Sequence, residues 1–500
     1  MLRVALVVAL VGCGSSPPPP PPAPTPVAPA PVAVKPDVSG IWLGTLRAGA
    51  TALRIQVHVD VAVTPPSCAL DSLDQGAMGI PCDIVAASAT EISVGVPAVH
   101  GAMKGTISAD ANTVTGTWTQ GGTALPLVMT RQATAIEAPK AAFDPPMPAV
   151  DIENIQKVTD TDLEKVLATQ LAPATGVGVT IGVVSHGVRK IFSYGAVKPD
   201  SLFEIGSITK TFTGLALAQM VEQNKVRLDE PVRALLPKGT ITTPAAAAEI
   251  TLLDLSAQRS GLPRLPDNMK PADETNPYVD YDAKALYTFL ARHGLAMPAT
   301  PEFGYSNLGV GLLGHVLAVR AGSTYEALIR AQITEPLGMK DTVIKVTPAL
   351  TKRFAAGHSA GNQPQRAWDF DALAGAGAIR STAADMLTFL EAQLHPDRVK
   401  GRTVAAKTLP AAIAASHEVR ADVGGGMHIA LDWFRVDESG SYWHNGATGG
   451  YSSFAVFDPA KDFAVIVLFN RSIEDGSFAD DLGKHIVRRL TGKPAPSLAP

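Results

Sequence analysis

A strict alternation of apolar and polar residues runs from Leu53 to Val61. This period of two is typical of a strand with one buried face, and His58 falls on the polar face. Shorter stretches with strand character follow at 91–96, 103–108, 114–119 and 124–130. The pattern predicts a small antiparallel barrel or sandwich over residues 37–132, and no residue in it indicates a catalytic role.

A different pattern begins after residue 151. Residues 203–220 carry apolar side chains at helical spacing, which predicts a helix with one face in a core. Other segments have strand character at 176–185, 190–197, 452–457 and 463–469, and helical character at 251–257, 282–292, 308–320, 325–334 and 480–490. Strands at both ends with helices between them predict one sheet built from distant parts of the chain, with a helical region beside it.

Two proline-rich segments divide the chain. Residues 13–36 are dominated by proline, and we expect a stiff polyproline II spacer rather than a folded unit. Residues 133–150 are rich in proline and alanine, which predicts a second linker. A large domain is therefore expected at 151–492.

The N-terminus indicates export. Residues 1–12 form an apolar run that has the length of a secretory signal and is too short to cross a bilayer. Residues 10–13, LVGC, resemble a bacterial lipobox, which implies cleavage before Cys13 and acylation of that cysteine. A plain signal peptide or a wrongly assigned start is the alternative. The prediction is a lipid anchor to the membrane through Cys13, in the periplasm or at the outer membrane of a bacterial cell envelope.

The net charge and the cysteine content limit the kinds of partner and of metal site that the chain is expected to have. The formal net charge is −4 over 500 residues without a basic run, which argues against nucleic acid and anionic membrane surfaces as main partners. The three cysteines form no CxxC pair, so a cysteine zinc site is not supported. With Cys13 set aside for the anchor, Cys68 and Cys82 are expected to form a disulfide in an oxidising compartment. Two unpaired small core residues are the alternative.

Candidate chemistry is concentrated at the start of the 203–220 helix. Ser207 and Lys210 are three residues apart, so a helix places the lysine amine beside the serine hydroxyl. A helix N-terminus also offers unpaired backbone N–H groups, and a serine nucleophile needs both a base and donors for an oxyanion. One Ser-x-x-Lys is expected by chance in such a chain, and an N-capping serine with a solvated lysine is the alternative.

Two further motifs occur once each, Tyr-x-Asn at 305–307 and His-x-Gly at 444–446. Alone, they fit a loop tyrosine before a helix cap and a glycine-rich turn before a hairpin. In the order SxxK, YxN and HxG, the motifs resemble the serine β-lactamase and penicillin-binding protein superfamily. The resemblance is closest to the class C-like branch, with class C β-lactamases, D-Ala-D-Ala carboxypeptidases, D-aminopeptidases and family VIII esterases. Segments 203–206, 260–263, 335–339, 376–385 and 450–470 recur there in the same order.

The resemblance implies an α/β (α+β) fold, in which helices and a helical subdomain flank an antiparallel sheet, and a serine hydrolase without metal or cofactor. Ser207 is expected to attack a carbonyl and become acylated, while Lys210 and Tyr305 share the proton transfer. The sequence leaves open which of these two is the base. Asn307 is expected to orient the lysine and the substrate amide, and the backbone N–H groups of Ser207 and Ala447 to form the oxyanion hole.

The third motif departs from the pattern of most β-lactamases, which have lysine at its first position. This chain has His444, which is largely neutral at pH 7. The change weakens carboxylate binding beside Gly446 and favours an esterase or D-amino-acid peptidase over an efficient β-lactamase. Asn445 replaces the usual threonine or serine and removes a hydroxyl. Residues 357–361 also fit the GxSxG elbow of α/β-hydrolases, but the strand before it and the helix after it are missing.

The sequence therefore predicts a lipid-anchored, exported serine hydrolase that cleaves small esters or amides, or peptides derived from peptidoglycan. A penicillin-binding D,D-carboxypeptidase or weak β-lactamase is the alternative within the same fold. A non-catalytic binding or sensor protein of the envelope is the alternative of another class, although the intact Ser207, Lys210 and Tyr305 set argues against it.

Overall fold

The computed structural model of the protein describes residues 38–498, apart from 49–50, 74–76, 100, 121–122, 137–146, 170, 243 and 474–477. The predicted signal peptide, Cys13 and the 13–36 linker lie outside the described residues, as does most of the second linker.

The first described unit is one antiparallel sheet of nine strands. Its strands are β1 Gly40–Ala48, β2 Thr51–Asp60, β3 Ser67–Ser72, β4 Ala77–Pro81, β5 Asp83–Ala87, β6 Glu91–Val96, β7 Gly101–Ile107, β8 Thr113–Gln120 and β9 Thr123–Gln132. Strands β4 and β5 lie at opposite edges of the sheet, yet only Cys82 separates them in sequence. The sheet therefore curls until its edges meet, which gives a barrel rather than a sandwich.

A disulfide joins Cys68 on β3 to Cys82 in the link between β4 and β5. The Cys82 backbone N–H also donates to the Cys68 carbonyl oxygen (3.2 Å). Inside the barrel, apolar side chains from both halves of the sheet form one core, including Trp42 and Trp118. The crosslink thus holds the seam at which the barrel closes.

The second unit is built on an antiparallel sheet of eight strands in the order β11-β10-β21-β20-β19-β18-β17-β16. These strands are β10 Gly178–Ser185, β11 Val188–Gly195, β16 Ala421–Gly424, β17 Met427–Ile429, β18 Phe434–Val436, β19 Tyr442–Ala447, β20 Ser452–Asp458 and β21 Phe463–Phe469. Strand β10 pairs with β21, with Val179 opposite Phe469. The sheet therefore joins distant parts of the chain, as the pattern predicts. Two separate pairs are β12 Leu202–Glu204 with β15 Arg380–Thr382 and β13 Gly357–His358 with β14 Pro364–Gln365.

Helices cover both faces of this sheet. They are α1 Ile152–Asp162, α2 Glu164–Thr169, α3 Thr209–Glu222, α4 Leu252–Ser256, α5 Ala283–His293, α6 Asn307–Arg320, α7 Tyr325–Ile329, α8 Glu335–Leu337, α9 Pro348–Thr351, α10 Ala383–Leu394, α11 Val404–Ser416 and α12 Phe478–Thr491. Helices α1 and α12 pack on one face, while α10 packs on the other beside α3 and the remaining helical region. The fold is thus the expected antiparallel sheet flanked by helices, preceded by an all-β unit.

Helix α3 corrects one expectation. The spacing of its apolar residues predicts one buried face, but every residue from Thr209 to Met220 is buried. The helix is surrounded because α6 and α11 pack against it, together with the turn Ala374–Ala376. Its polar side chains are bonded internally, as when Thr213 donates to the Gly375 carbonyl oxygen (2.8 Å).

Within the described ranges, no helix is long and apolar enough to cross a membrane. In the same ranges, no cluster of three or more His, Cys, Asp or Glu side chains could hold a metal ion.

The disulfide gives a prediction about stability. The double substitution Cys68→Ala and Cys82→Ala should lower the free energy of unfolding of the barrel by about 3 kcal/mol, because a loop with a sequence separation of 14 is no longer closed in the unfolded chain. Urea unfolding followed by tryptophan fluorescence measures the change, with Cys13→Ala as the control. Identical curves for the parent and the double variant would contradict the prediction.

Candidate active site

Ser207 lies in a single turn of 3₁₀ helix, Gly206–Ile208, that leads directly into α3. The sequence predicts an α-helix from this point, and the extra turn instead changes direction between β12 and α3. Gly206 has a φ of +50°, and a Cβ there would lie 2.6 Å from the Ala447 backbone nitrogen. Only glycine fits this conformation and contact, so the turn that presents Ser207 depends on residue 206.

Lys210 is completely buried beside Ser207. Its Nζ donates to Ser207 Oγ (2.9 Å) and to the Ala376 carbonyl oxygen (2.7 Å). Burial lowers the pKa of Lys210 to about 7; the negative charge of Asp432 opposes this shift and the positive charge of Arg264 adds to it. A substantial fraction of the amine is therefore neutral near physiological pH, and a neutral amine within hydrogen-bond distance of a serine hydroxyl can act as its base.

Tyr305 lies on the other side of Ser207, in the loop before α6. Its hydroxyl group is hydrogen-bonded to Ser207, and its ring centroid is 5.0 Å from Lys210 Nζ. Removal from water raises the pKa of Tyr305 above its ordinary value, although the bond to Ser207 and the charge of Arg264 oppose the rise. The sequence leaves open which of the two residues is the base, and these opposite pKa shifts favour Lys210 as the base and Tyr305 as the proton donor.

The backbone around Ser207 meets the end of β19. A Cβ on Gly446 would lie 2.1 Å from the Ile205 carbonyl oxygen and 2.9 Å from the Ser207 nitrogen. Glycine at 446 therefore lets β19 approach until the Ser207 and Ala447 backbones adjoin one another. The two residues whose N–H groups are expected to form the oxyanion hole are therefore neighbours in space.

His444 is buried on β19 and does not supply a positive charge. Its Nδ1 donates to the Asn445 carbonyl oxygen (2.6 Å), which leaves Nε2 as a hydrogen-bond acceptor. Burial and the charge of Lys210 lower the pKa of His444 to about 3. The Asn445 side chain faces away from the cleft and donates to Asp480 on α12 (2.7 Å), since neighbouring residues of a strand point to opposite faces.

Asn307 is placed at the N-terminus of α6, where its amide nitrogen donates to the Tyr278 hydroxyl (3.3 Å). The expected hydrogen bond to Lys210 is absent among the described residues, and the Ala376 carbonyl orients the amine instead. The Asn307 side-chain oxygen is buried without a hydrogen-bond partner. Because a buried acceptor is costly to leave unpaired, this oxygen is suited to receive an N–H group from a substrate.

Gln258 is a site residue that the sequence analysis missed. Its backbone carbonyl accepts from Gly304 N–H (2.7 Å), and its side-chain oxygen accepts from Ser306 N–H (2.8 Å). The two bonds grip the residues on either side of Tyr305. In the sequence, Gln258 lies two residues before segment 260–263, which recurs in the superfamily. This position alone does not predict its hydrogen bonds to the residues around Tyr305.

The Gln258 amide nitrogen donates in turn to Asp432 (3.2 Å), which also accepts from the Ser256 hydroxyl (2.8 Å). Asp432 is completely buried, and burial raises its pKa to about 8. In the sequence, Asp432 is the one charged residue in the apolar stretch 429–434. The carboxyl group thus fixes the amide that positions Tyr305.

Three aromatic residues pack against one another next to Asn307, and we call Tyr278, Trp368 and Phe370 the aromatic wall. The Tyr278 ring stacks on Phe370 with centroids 4.4 Å apart and lies 5.4 Å from Trp368. Arg380 fixes the wall to the strand before Ser207, because its guanidinium bonds to the Trp368 carbonyl (2.6 Å) and to Glu204 on β12 (3.1 Å).

The sequence profile of the Beta-lactamase family matches residues 163–487, more than half of the chain. The chain belongs to the Beta-lactamase family. The match includes the SxxK, YxN and HxG positions and excludes the barrel. The rival serine Ser359 lies in a turn after the two-residue strand β13, without the helix that an α/β-hydrolase elbow requires.

Curated relatives within this family carry several names. A "Beta-lactamase" of Pseudomonas fluorescens is 27% identical over 364 residues, which span 64% of this chain and 94% of the relative. A "D-alanyl-D-alanine-carboxypeptidase/endopeptidase AmpH" of Escherichia coli K12 is 27% identical over 317 residues, 60% of this chain and 80% of that protein. "Penicillin-binding protein 4" of Amycolatopsis lactamdurans is 27% identical over 321 residues, 61% and 81% of the two chains.

The lowered pKa of Lys210 predicts the pH dependence of acylation. The rate of Ser207 acylation should rise as the pH increases through about 7, because the protonated amine below this pH cannot accept the serine proton. The rate of labelling by an uncharged fluorophosphonate between pH 5 and pH 9 measures the midpoint. Tyr305→Phe should react more slowly with the same midpoint. A flat profile, or a rate that still rises about tenfold per pH unit at pH 9 as expected for the ordinary lysine value of ~10.4, would contradict this assignment.

The hydrogen bonds from Gly304 and Ser306 to Gln258 predict that a substitution of Gln258 slows the acylation of Ser207. Gln258→Met removes its side-chain hydrogen bonds at similar volume, and the acylation rate should fall roughly tenfold or more because Tyr305 is no longer held. Gln219→Met is the matched control, since Gln219 is equally buried and its amide donates to the Gln332 and Ala405 carbonyls. Both variants should lose stability, but only Gln258→Met should lose rate. Equal rates in the two variants would show that the grip is structural only.

Proposed function

We propose that this member of the Beta-lactamase family is an exported serine hydrolase that cleaves small esters or amides through an acyl-enzyme on Ser207. The observation that carries the proposal is the 2.9 Å hydrogen bond from a fully buried Lys210 amine to the Ser207 hydroxyl. A surface lysine beside a capping serine would keep an ordinary pKa and would activate nothing.

The proposed reaction uses Ser207 Oγ, the side chains of Lys210 and Tyr305, and the backbone N–H groups of Ser207 and Ala447. Lys210 takes the Ser207 proton while Oγ bonds to the substrate carbonyl carbon, and the carbonyl oxygen becomes an oxyanion held by the Ser207 and Ala447 N–H groups. The oxyanion then re-forms its double bond, and the bond to the leaving oxygen or nitrogen breaks as Tyr305 donates its proton. Proton transfer from Lys210 restores the tyrosine. A water molecule repeats the sequence on the acyl-enzyme, releasing the acid and regenerating Ser207.

The state of His444 supports esters or amides over β-lactams as substrates. A neutral imidazole whose free nitrogen is an acceptor cannot provide the fixed charge that holds a carboxylate at this position. The preference for an esterase or D-amino-acid peptidase rests on this property.

A D,D-carboxypeptidase or weak β-lactamase is the second candidate, because relatives carry those names at 27% identity. Turnover of nitrocefin, of a D-Ala-D-Ala peptide and of p-nitrophenyl esters by the same preparation distinguishes the candidates.

Export and anchoring are part of the proposal. The disulfide between Cys68 and Cys82 supports folding in an oxidising compartment, in agreement with the proposed signal peptide and the acylation of Cys13. Mass spectrometry of the protein purified from a bacterial membrane fraction tests the lipid on Cys13.

Covalent labelling tests the nucleophile. Treatment with a fluorophosphonate should add one mass adduct to the parent and none to Ser207→Ala, because Ser207 Oγ is the hydroxyl bonded to the buried amine. Intact-protein mass spectrometry gives the result. An unlabelled but folded parent would favour a non-catalytic binding or sensor protein, and an adduct that persists in Ser207→Ala would indicate another serine, with Ser359 examined next.

A further inference from the structure

Arg264 is an exposed basic residue beside Tyr305. Its guanidinium carbon lies 5.3 Å from the centroid of the Tyr305 ring. The Arg264 carbonyl accepts from Leu308 N–H (3.2 Å), which fixes this loop to the first turn of the helix that carries Asn307. The backbone is therefore anchored beside the catalytic groups while the side chain remains open to solvent.

The guanidinium of Arg264 is not neutralised by the protein. Across the described ranges, no carboxylate forms an ion pair with it, and its side-chain contact is the Tyr305 ring. Other arginines of this unit are paired, as Arg320 is with Glu230 and Arg353 with Asp341. A guanidinium group presents planar, paired donors that match a carboxylate, so an unpaired one at a cleft can bind an anion.

The other basic groups around Ser207 are not available for this task. Lys210 is fully buried and already donates to Ser207 and Ala376. His444 presents an acceptor nitrogen rather than a donor. Arg264 is therefore the basic side chain near Ser207 whose donors remain free for a ligand.

The position of Arg264 also indicates which part of a substrate it meets. The positive charge of Arg264 is close enough to Tyr305 and Tyr278 to oppose the rise in pKa that burial causes in both. The Tyr278 hydroxyl accepts a hydrogen bond from Asn307. The unpaired Asn307 oxygen and the aromatic wall are on this same side. An acyl chain in the cleft would pass its amide to Asn307 and its methylene groups along the wall, with its far end reaching the guanidinium.

We propose that Arg264 forms an anion subsite that selects substrates whose acyl part ends in a carboxylate. The inference rests on the proposed function, because it specifies the acyl group that Ser207 accepts. The subsite is formed by a residue outside the third motif, so it would supply the positive charge that the neutral His444 does not.

A matched pair of esters tests the subsite at pH 8. The substrates are mono-p-nitrophenyl adipate, which carries a free carboxylate, and its methyl ester, which does not. The parent should prefer the acid in kcat/KM by roughly tenfold, the effect of about 1.4 kcal/mol from a charge-assisted pair. Arg264→Met should remove the preference, read as the ratio of kcat/KM for the two esters, because any effect of the lost charge on Lys210 or Tyr305 changes both esters alike. Arg264→Lys should restore part of the preference and Arg264→Glu should reverse it.

Arg227→Gln is the control, because Arg227 pairs with Asp229 at the surface, and it should keep the parent's preference. Equal kcat/KM for the two esters in the parent would overturn the proposal, as would a preference that survives Arg264→Met.

Binding to an inactive protein separates this inference from the proposed function. In Ser207→Ala, N-benzyladipamic acid should bind roughly tenfold more tightly than its methyl ester, and Arg264→Met in the same background should abolish the difference. Calorimetry measures both, and equal binding overturns the subsite even if Ser207 is labelled. If Ser207 is not labelled but the acid is still preferred, the anion subsite stands and the hydrolase proposal fails.

Discussion

A lysine amine withdrawn from water beside a serine hydroxyl is the interaction on which the site depends. A buried ammonium ion loses its hydration, so the protein can hold Lys210 in this place only by favouring the neutral amine or by supplying acceptors. It does both, because the Ala376 carbonyl and Ser207 Oγ receive the N–H groups while burial lowers the pKa of the amine to about 7. Stability and reactivity are thus set by the same desolvation.

That desolvation requires packing on every side of α3, which explains why the helix carries polar residues yet is buried throughout. The helices around it belong to the helical region, whereas the strand that closes the site, β19, belongs to the main sheet. Gly206 and Gly446 let the two regions approach at backbone distance. The backbone N–H groups of Ser207 and Ala447 are therefore brought together by a contact between separate parts of the chain, and neither motif alone supplies both.

The charges around Ser207 differ from those of a site that has lysine at the first position of the third motif. The histidine of the third motif is neutral and donates its Nδ1–H to the Asn445 carbonyl oxygen, and the buried carboxyl group of Asp432, whose pKa is raised by burial, accepts from the Gln258 amide. The guanidinium group of Arg264, which has no carboxylate partner among the described residues, instead lies over the Tyr305 ring. A site with this arrangement keeps the Ser207 and Lys210 pair of the first motif and has its exposed positive charge on a residue outside the third motif.

The sequence by itself predicted part of the helices and strands, the order of the motifs and the candidate nucleophile, because period-two and helical patterns and the i to i+3 spacing of Ser207 and Lys210 act locally. It could not determine which group is the base, since that follows from burial created by distant helices. The grip of Gln258, the acceptor state of His444 and the contact of Arg264 with Tyr305 were likewise decided only by the tertiary structure. Each joins residues far apart in the chain, and neither hydrogen bonds nor desolvation between such residues are encoded in any single segment.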